Sequence, residues 1–199
     1  MKGRELSFVT ALACGFFGMN AAQATVLTLD FETVGTGRNL PTAPLTTSVG
    51  TISASVSGGT LVTHDISAST GMSGQSLEHQ QGGEPDYAQF AFDFDVSSIT
   101  FLYAGNVLGQ FLAQVLDASL GVLDAYHDAD TEFDLPGGPV TLFGVGIRYF
   151  RFLDPDFYYG WAVIDDVTIT AAAPEPTTLA LFGLGLAGIG AVRRKKLAA

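Results

Sequence analysis

Cysteine is nearly absent from this 199-residue chain: the one copy, Cys14, lies close to the N-terminus. Disulfide scaffolds, cysteine proteases, zinc fingers and iron–sulfur sites are therefore excluded for the middle of the protein. Basic residues are almost as scarce there. Residues 25–173 hold 18 acids against three bases, Arg38, Arg148 and Arg151, a formal charge near −15 compared with −11 for the whole chain. Phosphate recognition needs clustered Lys and Arg. Nucleic acid is therefore excluded as a partner and anionic lipid is disfavoured, whereas solubility or capture of divalent cations fits. Catalytic signatures are missing too. The chain has no Gly-x-Ser-x-Gly elbow, no His-Glu-x-x-His pair and no phosphate loop. His64, His79 and His127 are its only histidines; His79 stands with Glu78 and Glu84 near Ser73 and Ser76. Among 18 acids, paired carboxylates arise by chance and do not assign a glycosidase. The expectation is a protein without enzymatic activity.

What is present begins at the ends. Mean hydropathy is +0.32, and two terminal apolar stretches account for it. At the N-terminus Lys2 and Arg4 precede the apolar run Leu6 to Met19, and Ala22-Gln23-Ala24 supplies a small-x-small cleavage pattern. This predicts a signal peptide over 1–24, cut after Ala24 by signal peptidase. The run is short of the roughly 20 residues a spanning helix needs, and Ala11 stands where a lipoprotein signal before Cys14 wants a branched apolar residue.

At the C-terminus Pro174-Glu175-Pro176 precedes Thr177 to Val192, an uncharged stretch rich in Leu and Gly, and Arg193-Arg194-Lys195-Lys196 closes it. A single transmembrane helix with a cytoplasmic basic stop fits this pattern. Its sixteen residues rise about 24 Å, short for a bilayer unless flanking side chains snorkel. Gly183, Gly185, Gly188 and Gly190 would form a small-residue face.

This three-part tail resembles the PEP-CTERM sorting signal of exported proteins in Gram-negative bacteria. The resemblance implies export across the inner membrane, transient anchoring there, and cutting near Pro174–Pro176 by an exosortase. Pro174, Glu175 and Pro176 would be recognition residues of a substrate, and Arg193–Lys196 its stop. The final location would be the cell surface or the extracellular matrix.

The stretch 25–173 reads as one all-β domain, an antiparallel sandwich of eight to ten strands with jelly-roll topology preferred. Strand signals are Val26 to Phe31, Val49 to Ser57 with Thr60 to Thr63 as its partner, and Tyr87 to Phe94. Ile99 to Tyr103, Phe111 to Leu116, Leu120 to Tyr126, Val140 to Phe152 and Trp161 to Thr170 complete the set. Phe90, Phe92 and Phe94 share one face, Gln89 and Asp93 the other. The turn at Asp117-Ala118-Ser119 joins two of these strands. Asn39 to Ser48 and His64 to Pro85 read as loops.

The opening Leu29-Asp30-Phe31-Glu32, the closing Ala162 to Ile169, and Ala113 to Tyr126 resemble carbohydrate-binding-module jelly rolls. That resemblance implies structural calcium held by first-strand acids, Asp30 and Glu32, and a last-strand acid, Asp165. From the residues themselves, alternation puts Asp165 on the side of Val163, Val167 and Ile169. A carboxylate there needs hydrogen bonds or a cation. Backbone N–H bonds in a bulge, with Asp166 facing water, satisfy it equally well.

Asp124, Asp128, Asp130, Glu132 and Asp134 surround His127. An EF-hand is rejected because Phe133 and Pro139 occupy its required Gly and Glu positions. A surface calcium site and a solvated acidic edge both remain open. Tyr158, Tyr159 and Trp161 are candidate glycan-stacking residues, with core or rim packing as the alternative; Arg148 and Arg151 are expected to pair with Asp154 and Asp156. The expected role is structural or adhesive. A carbohydrate-binding module for extracellular polysaccharide is the main alternative and a glycoside hydrolase the third.

Overall fold

The computed structural model describes residues 23–29, 31–32, 44–65, 72, 74–80, 86–104, 110–128, 137–153, 155, 161–173 and 185. Most of the signal segment, Pro174–Pro176, Arg193–Lys196 and all of 177–192 except Gly185 lie outside the described residues, as do Asp30, Tyr158 and Tyr159. Ala24–Ala173 is one compact unit. Its described part holds ten strands, all paired antiparallel, and no helix.

Two 17-residue strands, β6 (Ala88–Ala104) and β9 (Gly137–Leu153), organise the rest. Each runs through a corner and serves both layers of a jelly-roll-like sandwich. In the first layer β2 (Leu45–Thr46), β3 (Thr51–Val56), the start of β6, the end of β9, β7 (Phe111–Leu116) and β8 (Val122–Asp128) pair in that order. In the second, β4 (Thr60–Asp65), β5 (Gln75–Gln80), β10 (Trp161–Ala171), the end of β6 and the start of β9 follow one another. β1 (Val26–Leu29) extends this layer along the far half of β10.

The corner is legible in the register. Ala91 pairs with Tyr149, Val96 with Ile147 and Ser98 with Phe143, so both strands carry unpaired residues between these points. Gly146 supplies a φ of 74° there, which glycine tolerates without a Cβ clash. An ion pair of 2.8 Å from Arg148 to Asp95 ties the two strands at the corner. Arg148 thus has Asp95 as a partner, while Asp154 and Asp156 lie outside the described residues.

The core sits between the layers. Phe101 pairs with Val140 in its own layer, yet its ring lies 5.0 Å from Phe150 and 6.0 Å from Phe111, both in the opposite layer. Phe90, Phe150 and Phe152 stack on one another beneath these contacts. Rings in offset or tilted contact contribute beyond their buried area. Tyr103 crosses to β8, where its hydroxyl lies 2.6 Å from Tyr126 Oη and donates to Asp128 Oδ2 at 2.6 Å.

Two expectations are corrected. Thr60–Thr63 does not pair with β3: the Ser57–Gly59 turn, with Gly59 at φ 68°, carries the chain to the other layer, where β4 pairs β5. The stretch read as a loop over His64 to Pro85 contains β5, an interior strand. Its sequence, QSLEHQ, has no apolar alternation because polar Ser76, Glu78 and His79 are themselves buried.

Candidate functional site

Where Phe90, Phe150 and Phe152 point inward, their neighbours along the strands point out. Register aligns those outward residues into a row across five strands. Ser55 lies beside Gln89, Gln89 beside Arg151, Arg151 beside Gln114, and Gln114 beside Ala125. At roughly 4.8 Å per strand the row spans about 19 Å. A second row runs alongside it through Ser53, Ala91, Tyr149 and Leu116.

Arg151 is the organising residue. Its Nε and Nη2 both donate to Gln89 Oε1, at 3.2 and 2.8 Å. Its guanidinium carbon lies 3.8 Å from the centroid of the Tyr87 ring. A planar cation held by an amide and stacked on an aromatic face is pre-organised. Ser57 and Tyr87 fix the ring's backbone: Ser57 N donates to Tyr87 O at 3.0 Å, and Tyr87 N donates to Ser57 Oγ at 2.9 Å. The two rows carry no carboxylate, although the domain around them is strongly acidic. Hydroxyls, amides, tyrosine and one guanidinium line a hydrogen-bonding face with aromatic surface; Leu116 at its end is buried, and Asp93, next on the same side after Ala91, accepts Thr51 N–H. Such a face suits polyhydroxylated ligands.

Sequence reasoning missed this face. Alternation places Gln89 outward, but the nearest carboxylates in the sequence suggest acidic partners for Arg151, and nothing in the linear sequence aligns it with Gln89 and Gln114. Of the expected stacking residues, Tyr158 and Tyr159 lie outside the described residues. Trp161 opens β10 opposite Gln80, in the other layer.

The carboxylate group around Asp165 is partly assembled. Asp165 is 5 % exposed. Its Oδ1 accepts Asp166 N–H at 2.8 Å, and Ser76 Oγ donates to its Oδ2 at 3.4 Å. Asp166 is exposed with φ 48°, and the β10–β6 register shifts between Asp165 and Thr168. That is a bulge, and it reverses the alternation that follows. Asp165 therefore shares a face with Val163, beside Met72 and Ala104, whereas Val167 and Ile169 join the main core. The expected common side for all four residues does not hold. Burial pushes the Asp165 carboxyl up to about 6; the Asp166 N–H and Ser76 bonds oppose the rise, and the charges of Asp166 and Glu32 add to it. Glu32 Oε1 accepts Gln75 N–H at 3.0 Å, and its carboxylate covers Gly74, where φ is 79°. Glu32 and Asp165 thus act on one another, and Asp30 lies outside the described residues. Among the described residues no group of three or more His, Cys, Asp and Glu side chains has metal-holding geometry.

In the acidic run, Asp124 accepts N–H bonds from Ala125 at 2.9 Å and Phe143 at 3.0 Å. Asp128 accepts from Tyr103; Asp130, Glu132 and Asp134 lie outside the described residues. Of the histidines, His64 pairs with Glu78 at 2.9 Å, His127 contacts Gln110 at 3.4 Å, and His79 is buried.

Comparison with known proteins gives two results. Residues 172–195 match the PEP-CTERM protein-sorting motif, which marks an exported protein processed by an exosortase. A search of curated proteins finds no match to the chain. Similar solved structures include a cleaved adhesin domain of Lys-gingipain, with TM-score 0.48 and 12% identity over 73% of this chain and 99% of that one. A mutant family 29 carbohydrate-binding module gives TM-score 0.48 and 13% identity over 74% of this chain and 92% of that one. A second adhesin domain of Lys-gingipain, from Porphyromonas gingivalis, gives 0.46 and 15% over 75% and 99%.

Proposed function

We propose that this is a non-catalytic surface or matrix protein that adheres to extracellular polysaccharide through the outer face of β3, β6, β9 and β7. The observation that carries the reading is the acid-free row Ser55, Gln89, Arg151, Gln114 with Tyr87 stacked on Arg151. Sugar hydroxyls would take the guanidinium and amide groups, and the C–H faces of the ring would lie on Tyr87 and Tyr149. The sorting tail supports a location where such polymers are found. Retardation of the protein in gels containing soluble polysaccharide, and its loss in Arg151→Ala, tests this face.

Processing belongs to the same proposal. Signal peptidase and the secretion machinery would remove 1–24, and an exosortase would cut near Pro174, from a transient position in the inner membrane of a Gram-negative cell. The mature C-terminus, read by mass spectrometry, is expected close to Pro174; recovery of secreted protein still bearing Arg193–Lys196 contradicts it.

A structural calcium ion is a second element, favoured by the crowding of Asp165 with Asp166 and Glu32. Hard carboxylate oxygens are the right donor chemistry, but calcium takes six to eight ligands. Glu32, Asp165 and Ser76 would need Asp30 and backbone carbonyls to complete the set. A rise in melting temperature with calcium over chelator tests it.

A further inference from the structure

His79 has no exposed surface and stands in the core edge-on to Phe152, ring centroids 6.4 Å apart. Its Nε2 lies 3.1 Å from the carbonyl oxygen of Gly58. A carbonyl only accepts, so Nε2 carries the proton and donates it. Nδ1 is buried with no hydrogen-bond partner among the described residues. The ring therefore fits its site in one protonation state, the neutral one.

What it holds is the turn beneath the proposed binding face. Gly58 is separated from the start of β4 by Gly59 alone and is preceded by Ser57, which exchanges two hydrogen bonds with Tyr87. The contact chain runs His79, Gly58, Ser57, Tyr87, Arg151, Gln89. We propose that His79 is an acid-sensitive clamp: the neutral imidazole fixes the Ser57–Gly59 turn, and its protonation releases that turn and the Tyr87 ring that orders Arg151. The inference rests on the polysaccharide-face reading for its functional consequence.

The groups packed on the ring leave an imidazolium poorly compensated. Leu61 of β4 and Ala162 of β10 flank it in register, and Phe152 of β9 meets it at an interplanar angle of 83°. Glu78 and Gln80, its strand neighbours, interact with each other and His64 on the other side of the sheet. Among the described residues the charged group acting on it is Asp86, whose carboxylate covers Gly58. Burial outweighs Asp86 and the Gly58 bond, so the ring titrates below its ordinary 6.5. Opening of the turn then takes up one proton, and is favoured as pH falls below 6.5.

The test is amide hydrogen exchange on the exported protein between pH 7 and 5, expressed as protection so that intrinsic exchange is removed. Protection of the Ser57 and Tyr87 amides should fall by up to about tenfold per pH unit, while the Phe150 amide holds. His79→Gln, which keeps a donor but does not titrate, should abolish the fall. Unchanged Tyr87 protection, an equal loss at Phe150, or the same fall in His79→Gln overturns the clamp. If that variant does not fold, the ring nitrogen shifts of the wild type decide: titration at or above 6.5 overturns it, and titration below 6.5 together with the Tyr87 loss supports it. No ligand enters this experiment, so a failed clamp is separable from a failed binding face, which polysaccharide retardation at pH 7 tests alone.

Discussion

Arg151 of β9 lies over the ring of Tyr87 at 3.8 Å, and Tyr87 leads directly into β6, the neighbouring strand of a layer whose other side is the phenylalanine core. The same strands therefore build the core with one set of side chains and the proposed binding face with the alternate set. Removing the ring should weaken polysaccharide binding without loosening the fold. Tyr87→Ala is expected to cost about 1 kcal/mol of binding, roughly fivefold in Kd, while the melting temperature moves by a few degrees at most. Binding isotherms and thermal melts on the same preparation check both halves.

Asp165 has a pH signature of its own. Its folded value of about 6 lies above the ordinary 3.8, so the folded state holds the proton more tightly. The associated stability is complete below pH 3.8 and is lost as pH rises through 6. Asp165→Asn keeps an acceptor for Asp166 N–H and adds a donor for Ser76. In chelator it should stabilise the protein at pH 7.5 by up to about 3 kcal/mol, and melts between pH 4 and 7.5 should show a flatter profile. Destabilisation of Asp165→Asn in calcium, reversed in chelator, is the result expected where the ion is bound.

Gly74→Ala should destabilise by about 1–3 kcal/mol. The backbone there has φ 79°, and the Glu32 carboxylate occupies the position of the new Cβ. Combining it with Glu32→Ala relieves the clash but not the backbone strain, so urea unfolding of the double variant should recover part of the loss.

Phe101→Ala removes a ring that touches Phe150 and Phe111 across the layers and has no exposed surface. A loss of about 3–5 kcal/mol is expected in urea unfolding.

Strands with alternating apolar residues were readable from the sequence. Phe90, Phe92 and the flanking Gln89 give both the strand and its facing, and the hairpin around Asp117 shows in its turn residues. β5 was hidden because Ser76, Glu78 and His79 are buried through hydrogen bonds rather than apolarity. The bulge at Asp165 was hidden because one left-handed residue, Asp166, reverses the facing of everything after it. The row through Arg151 was hidden for a third reason. It exists only after β6, β9 and β7 pair, and residues 89, 151 and 114 share no local pattern.

The most direct measurement of the central claim is affinity electrophoresis of the exported protein at pH 7 through gels containing soluble β-glucan, mannan or the extracellular polysaccharide of the producing cell. The account predicts that at least one polymer retards the wild type and that Arg151→Ala runs unretarded with its melting temperature preserved. A wild type that no polymer retards, or an Arg151→Ala protein retarded as strongly as the wild type, contradicts it.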